Sequence, residues 1–429
     1  MKILSFISYL IVFLGIVNLL RMMIFLIGSD IYGLKKHLAQ KKSTQSKKKL
    51  YKPLLSVVIP AHNEEKTIIR CLSSVASNNY PQSKLQIIVI DDGSVDHTPN
   101  LVRKFKEKNK LLNLQLIRQK NSGKANALNK GIKNYTKGSL VMCLDGDSYL
   151  EKNALTYAAQ YFEDQKVAAL SSNVKIIDDN SLINLIQKFE YLICYQMKRA
   201  QTTFNIEYII GGIGSVFRKS ILKKVGFYDH DTVTEDIDLT MKILQKGNKH
   251  YRVIYGADVI AYTESCQTIG ALIKQRYRWK WGRSQTFFKN KNMFFNSDQK
   301  YSRLLTYFYL PFAIFCDFAF FLEPFLAGYI LLVILIFKDT FTFISAYTVI
   351  SAYIGINILA EETLGKKDKI KLLLISPTMY IFFYLLSFVE YVALIKALIN
   401  LPKLSQSINQ KRCFWQHVDR KGISVDFTV

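Results

Sequence analysis

Two long apolar tracts frame a central stretch that reads like a soluble domain, and this division limits the folds open to the chain more than any other feature. Residues 3 to 27 are apolar apart from Ser5, Ser8, Asn18 and Arg21. That is enough for the ~20 residues a helix needs to cross hydrocarbon. Inside lipid every backbone polar group must be paired internally, so such a tract is a helix. A cleaved signal peptide would carry a shorter apolar part and a small-residue cleavage site. Here Gly28-Ser29-Asp30 leads at once into Lys35, Lys36, Lys41, Lys42, Lys47, Lys48 and Lys49. A retained helix is expected, with Met1 outside and the basic flank and central domain in the cytosol.

After residue 302 the chain turns apolar again, with spans expected near 305–337, 342–360 and 372–399. Pro311 and Pro324 interrupt the first, and Pro377 marks a candidate re-entrant turn. The loop 361–371 carries Lys366, Lys367, Lys369 and Lys371 and is expected on the cytosolic side. About four spans result. The organisation expected is an N-terminal transmembrane helix (1–30), a basic linker (31–52), a cytosolic domain (53–300), C-terminal transmembrane helices (301–402) and a basic tail (403–429).

Lys and Arg number 58 against 33 acidic residues, a formal charge of +25. Such an excess suits nucleic acid, anionic lipid or phosphorylated substrates. No nucleic-acid-binding motif is present, so membrane lipid and a phosphorylated ligand are the expected partners, and nucleic acid is not. The six cysteines, Cys71, Cys143, Cys194, Cys266, Cys316 and Cys413, form no CxxC pair and lie near no histidine at zinc-finger spacing. Reduced, partly buried thiols are expected.

The central region alternates strand and helix patterns. Strands are expected at Leu54–Pro60, Leu85–Ile90, Leu114–Arg118 and Leu140–Leu144, with helices at Glu64–Ala76, Thr98–Lys108 and Lys124–Asn134. That order argues for an α/β domain built on a parallel, doubly wound sheet. Ligands of such sheets bind at the carboxyl ends of the strands. The polar clusters Asn63-Glu64-Glu65, Asp91-Asp92 and Asp145-Gly146-Asp147 all fall at those ends and are expected to converge.

Each cluster supports a chemistry. Asp145 and Asp147 offer hard oxygen ligands to a divalent cation bridging nucleotide phosphates, an acidic turn being the plain alternative. A carboxylate of Asp91-Asp92-Gly93-Ser94 suits a nucleobase N–H, although Asp-Gly is also an ordinary turn. Lys124 opens a helix, and a lysine with helix N-terminal amides suits a diphosphate. Thr234-Glu235-Asp236 reads either as a capped acidic first turn or as the base that takes a proton from a hydroxyl. Asp236 is preferred for that role over Asp238. Gln275-Arg276-Tyr277-Arg278-Trp279 offers an aromatic platform for a sugar and an arginine for phosphate, or a basic interfacial helix. Gly211-Gly212-Ile213-Gly214-Ser215 reads either as a flexible loop only or as backbone that approaches a ligand closely, which glycine permits.

These elements in this order resemble the processive membrane branch of the family-2 inverting glycosyltransferases, over roughly residues 54 to 285. Within that branch the chain is most similar to bacterial poly-β-1,6-N-acetylglucosamine synthases, on its size, Gly123-Lys124-Ala125-Asn126-Ala127-Leu128-Asn129 and Ser376-Pro377-Thr378-Met379-Tyr380. The stretch Gly-Gly-Ile-Gly-Ser departs from the patterns expected of these synthases. The resemblance implies a GT-A-like, Rossmann-type cytosolic domain flanked by transmembrane helices in a bacterial cell membrane. It implies nucleotide contacts from Pro60, Asn63, Glu64, Asp91, Asp92, Lys124 and Asp145, with Asp91 or Asp92 on uracil. Asp145 and Asp147 would hold the diphosphate through Mg²⁺ or Mn²⁺, and Asp236 would be the base. Gly212, Gly214, Ser215, Glu235, Gln275, Arg278 and Trp279 would line the donor and acceptor sites. The implied activity is polymerisation of N-acetylglucosamine from UDP-GlcNAc onto a growing β-linked polysaccharide for biofilm or capsule, with a small membrane partner subunit. Rival expectations are a hyaluronan- or chitin-type synthase, a single-addition lipid-linked transferase, and a catalytically silent membrane component of a secretion complex.

Overall fold

A computed structural model describes residues 2–45, 50–338, 340–409 and 421–423. Lys47 to Lys49, Cys413 and most of the expected basic tail lie outside them. The chain opens with helix α1, Lys2–Gln45. It runs on without a break through residues 31–45, where a linker was expected.

Strand β1 (Leu55–Ala61), β2 (Leu85–Asp91), β3 (Leu114–Arg118) and β4 (Leu140–Cys143) form the parallel half of one eight-stranded sheet. Helices α2 (Ile68–Ala76), α3 (Thr98–Lys108) and α4 (Lys124–Asn134) alternate with them. β1 and β2 are buried at every position, as continuous apolar strands covered on both faces must be. Side-chain alternation sorts them onto two cores. Leu55, Val57 and Ile59 join the core on the α2 side, and Val58 joins the one that contains Ala127, Leu128 and Ile132 of α4. Helix α2 starts at Ile68 rather than near Glu64. Asn63 sits at φ +56, and the Glu64 carbonyl receives the N–H groups of Thr67 and Ile68.

The second half departs from the all-parallel expectation. After β5 (Tyr149–Leu150) and α5 (Ala154–Tyr161) come β6 (Val167–Ile176), α6 (Leu182–Phe204), β7 (Ser215–Arg218), α7 (Lys219–Val225), α8 (Glu235–Leu244) and β8 (Arg252–Thr263). The sheet order is β3-β2-β1-β4-β7-β6-β8-β5, and β7 runs antiparallel to both β4 and β6. The sheet is therefore mixed. β7 is only four residues long, too short for a period in the sequence to announce its direction.

Helix α9 (Ile269–Lys289) leads to α10 (Leu310–Phe337), α11 (Thr340–Ala360), α12 (Lys366–Ile375) and α13 (Met379–Asn400). A 3₁₀ turn at Ser376–Thr378, around Pro377, separates α12 from α13. Among the described residues three helices are long and apolar enough to cross a membrane: Phe13–Ala39, Leu304–Leu322 and Lys366–Ile408. Tyr347–Ala360 is a shorter apolar helix. The loop before α12 lies against the α/β domain, with Glu362 3.2 Å from Arg199 of α6 and the Thr363 carbonyl accepting from Lys175 of β6.

Candidate active site at the strand ends

Four chain segments meet around Lys124. Its ammonium lies 2.6 Å from Asp145 Oδ1, at the end of β4, and 3.6 Å from Glu235 Oε1, at the start of α8. A Cβ built on Gly212 would stand 2.9 Å from Lys124 Nζ and 3.8 Å from both Asp145 Oδ2 and Asp236 Oδ2. The backbone at 212 thus approaches where a side chain could not. Burial works against the Lys124 charge, but the carboxylates of Asp145 and Glu235 prevail and hold its ammonium well above the ordinary range. Burial likewise pushes the Asp145 carboxyl up against the pull of Lys124.

Asp236 is pushed up to about 6 by burial and by the neighbouring Glu235 carboxylate, with Lys124 pulling the other way. A carboxyl poised near neutrality is matched to general-base work. Asp238 has a different setting. It is fully buried, and its Oδ2 accepts from Lys289 at 2.8 Å. Asp229 and Asp231 share the same ammonium. That four-charge cluster is an internal clamp between α8 and α9.

Asp91 and Asp92 are both completely buried and serve their own chain. Asp91 pairs with Arg118 at 2.6 Å and accepts from the Ser94 N–H. Asp92 accepts from Gln119 Nε2 and from the backbone N–H groups of Ser122 and Gly123. Asp92 therefore fixes the loop that presents Lys124. Asn63 Oδ1 accepts from the Val95 N–H, and the Glu64 N–H donates to Thr98 Oγ1, so these two bind the first two strand-end loops together. A Cβ built on Gly146 would stand 3.2 Å from Glu64 Cγ and 3.4 Å from the Pro60 carbonyl oxygen, so the Asp145–Asp147 turn packs onto the end of β1. The Asp147 carbonyl accepts from Arg70, and its Oδ1 from Ser148. Two hard carboxylates at one strand end are a donor set that a divalent cation fits.

Gly214 takes φ +64 above Ser172, whose hydroxyl donates to the Ile213 carbonyl. Ser215 Oγ, Thr234 Oγ1 and Gln275 Oε1 are buried without a hydrogen-bond partner among the described residues. Orphaned acceptors of this kind call for a partner. Thr234 does not cap α8 with its side chain; it packs against Gly282 of α9 instead. Arg278 pairs with no carboxylate among the described residues, and its charge lowers the proton affinity of Asp236. Trp279 lies under the Arg276 guanidinium, 4.2 Å from ring centre to Cζ.

Two further features leave no sign in the sequence. Arg276 is buried between Glu190 and Glu390, partners far away in the chain. Glu264 receives the backbone N–H groups of Lys421, Gly422 and Ile423 and pairs with Arg70. A short piece of the C-terminal region is thus tied to the arginine that holds the Asp147 carbonyl. No spacing rule connects these positions, so nothing short of the fold could have joined them.

Residues 56–226 match the family model described as glycosyl transferase family 2. The chain is 37% identical over 230 residues to the poly-beta-1,6-N-acetyl-D-glucosamine synthase of Staphylococcus aureus (strain COL), covering 53% of this chain and 54% of that one. It is 36% identical over 232 residues to the synthase of the same name from Staphylococcus epidermidis, with the same shares. The match thus spans about half the length of these curated relatives. The solved mannosyltransferase of Pyrobaculum calidifontis, in complex with GDP-Man and Mn²⁺, superposes with a TM-score of 0.53 at 20% identity. The superposition covers 88% of this chain and 98% of that one, so the two share a GT-A-like fold.

Proposed function

We propose that this chain, whose residues 56–226 are a glycosyl transferase family 2 domain, polymerises N-acetylglucosamine from UDP-GlcNAc into a β-linked, 1,6-connected exopolysaccharide. It does so at a bacterial cell membrane, with residues 53–300 on the cytosolic side. The observation that carries the proposal is the meeting of Lys124, Asp145, Gly212 and Asp236 within one crevice. The names of the staphylococcal relatives supply the sugar and the linkage.

The reaction is a single in-line displacement. Asp236 takes the proton of the acceptor hydroxyl as that oxygen bonds to the anomeric carbon. The bond from this carbon to the diphosphate oxygen breaks, and its electron pair leaves with UDP. One inversion turns an α-linked donor into a β-linkage. Lys124 and the first amides of α4 hold the diphosphate, and Arg278 adds a second positive charge. Mg²⁺ or Mn²⁺ on Asp145 and Asp147 would neutralise the departing phosphates. Gln275 and Trp279 bind the acceptor end, and Gly214, Ser215 and Glu235 complete the wall around the transferred sugar. Asp91 and Asp92 act on the nucleotide chiefly by shaping the loops around its base.

The test uses membranes containing the full chain, radiolabelled UDP-sugars and Mg²⁺ or Mn²⁺. A long polymer made from UDP-GlcNAc alone and resistant to chitinase is the expected product. A product cut by chitinase, or one needing a second sugar, would move the enzyme to a sister synthase. A labelled lipid without polymer would make it a single-addition transferase.

A further inference from the structure

The geometry points to Arg276 as a positioning residue that ties the acceptor platform Trp279 to the membrane helix α13. Trp279's role as platform rests on the function proposed above; the tie itself rests on contacts. Arg276 is 1% exposed. One edge of its guanidinium meets Glu190 of α6 at 2.6 Å, and its Nε meets Glu390 of α13 at 3.1 Å. Its flat face lies over the Trp279 ring, with Cζ 4.2 Å from the centroid. Only a planar cation can pair with carboxylates at its edges and stack through its face at once.

The placement on α9 is equally specific. Arg276 and Lys280 stand one turn apart on one side of the helix, and both reach Glu390. Arg278 is about 200° round from Arg276, on the side that faces Asp236. A carboxylate on an apolar spanning helix is costly unless it is paired, and both cations paired with Glu390 come from α9. Glu390 therefore serves as an anchor in the membrane region for the helix that carries Gln275, Arg278 and Trp279. Arg276 lies inside the stretch Gln275–Trp279 but was given no role of its own there, and neither glutamate adjoins it in sequence.

The test is made on the full chain in detergent or nanodiscs, in a W281F/W415F background that leaves Trp279 as the sole tryptophan. Arg276→Lys keeps a positive charge for both glutamates and removes the flat face. Glu390→Gln loosens one of the two clamps and leaves Glu190 in place. Both variants are expected to shift the emission maximum or yield of Trp279, the lysine variant more. Both are expected to raise the KM for an oligosaccharide primer several-fold while the KM for the UDP-sugar stays put. Unchanged Trp279 emission in Arg276→Lys overturns the proposal, and so do donor and primer KM values that move together. A parent protein that transfers no sugar while the emission shift persists would remove the acceptor role and leave the clamp standing, which separates the two failures.

Discussion

Gly282 of α9 and Thr234, the residue before α8, approach so closely that a Cβ at 282 would stand 2.5 Å from Thr234 Cγ2. This contact sets the distance between the helix bearing Arg278 and the turn bearing Asp236. Gly282→Ala must push the two apart, and a misplacement of about 1 Å can cost about 100-fold in rate. The variant is expected to retain its fold by circular dichroism and to lose transfer by roughly that factor.

The elevated proton affinity of Asp236 has two consequences of opposite use. In its proposed role as base it must be ionised, so the rate is expected to fall on the acid side of about 6. Glu235→Gln removes a raising charge and should move that limb to lower pH. For stability, the folded chain holds this proton more tightly than the unfolded chain does. Stability therefore falls as pH rises from the ordinary carboxylate value of 3.8 through about 6. Asp236→Asn should then melt higher than the parent at pH 7, with the difference closing toward pH 4, while transfer is abolished at both.

Lys124 stands between Asp145 and Glu235, so Lys124→Met would leave two facing carboxylates without a counter-charge. Loss of a positioned charge in a catalytic site typically costs about 100- to 1,000-fold. Transfer is expected to fall by at least the lower figure. Binding of UDP, followed by isothermal calorimetry, should weaken with it.

Asp238 and Asp236 are separable by mutation. Asp238→Asn is expected to keep transfer within a few-fold of the parent, because Asp238 serves Lys289 and not the crevice. Lys289→Met strands the carboxylates of Asp229, Asp231 and Asp238 around one point. Breaking a buried pair from one side costs roughly 3–5 kcal/mol, so thermal unfolding should drop sharply. Adding Asp238→Asn to that variant should recover part of the loss.

Chelation with EDTA is expected to stop transfer, and either Mg²⁺ or Mn²⁺ should restore it. Asp147→Asn should raise the metal concentration needed for half-maximal rate, read by titration of the ion.

The parallel half of the sheet was legible in the sequence because its strands are continuous apolar runs and its helices keep a 3.6-residue period. The polar groups at its strand ends were legible for the same reason, since a strand's end is where its apolar run stops. Two things were not. The direction of β7 depends on pairing with β4 and β6, which is a property of the assembled sheet and not of Ser215–Arg218. The saturation of Asp91 and Asp92 by Arg118, Gln119, Ser122 and Gly123 also needed the fold. Acidic pairs that bind a ligand and acidic pairs that bind their own loops look alike as letters.

Helix α1 acts as a ruler. Its 44 residues amount to about 66 Å of continuous helix, roughly twice the ~30 Å of bilayer hydrocarbon. Its second half is held to the α/β domain: Gly28 by its carbonyl to Thr203, and Tyr32 by its hydroxyl to the Tyr255 carbonyl. With α1 seated in a bilayer as proposed, the height of the crevice above the lipid would be graduated in steps of 1.5 Å, each coupled to a 100° turn. A single inserted residue would change both altitude and azimuth, whereas seven inserted residues would change altitude by about 10 Å and leave the bearing almost unaltered.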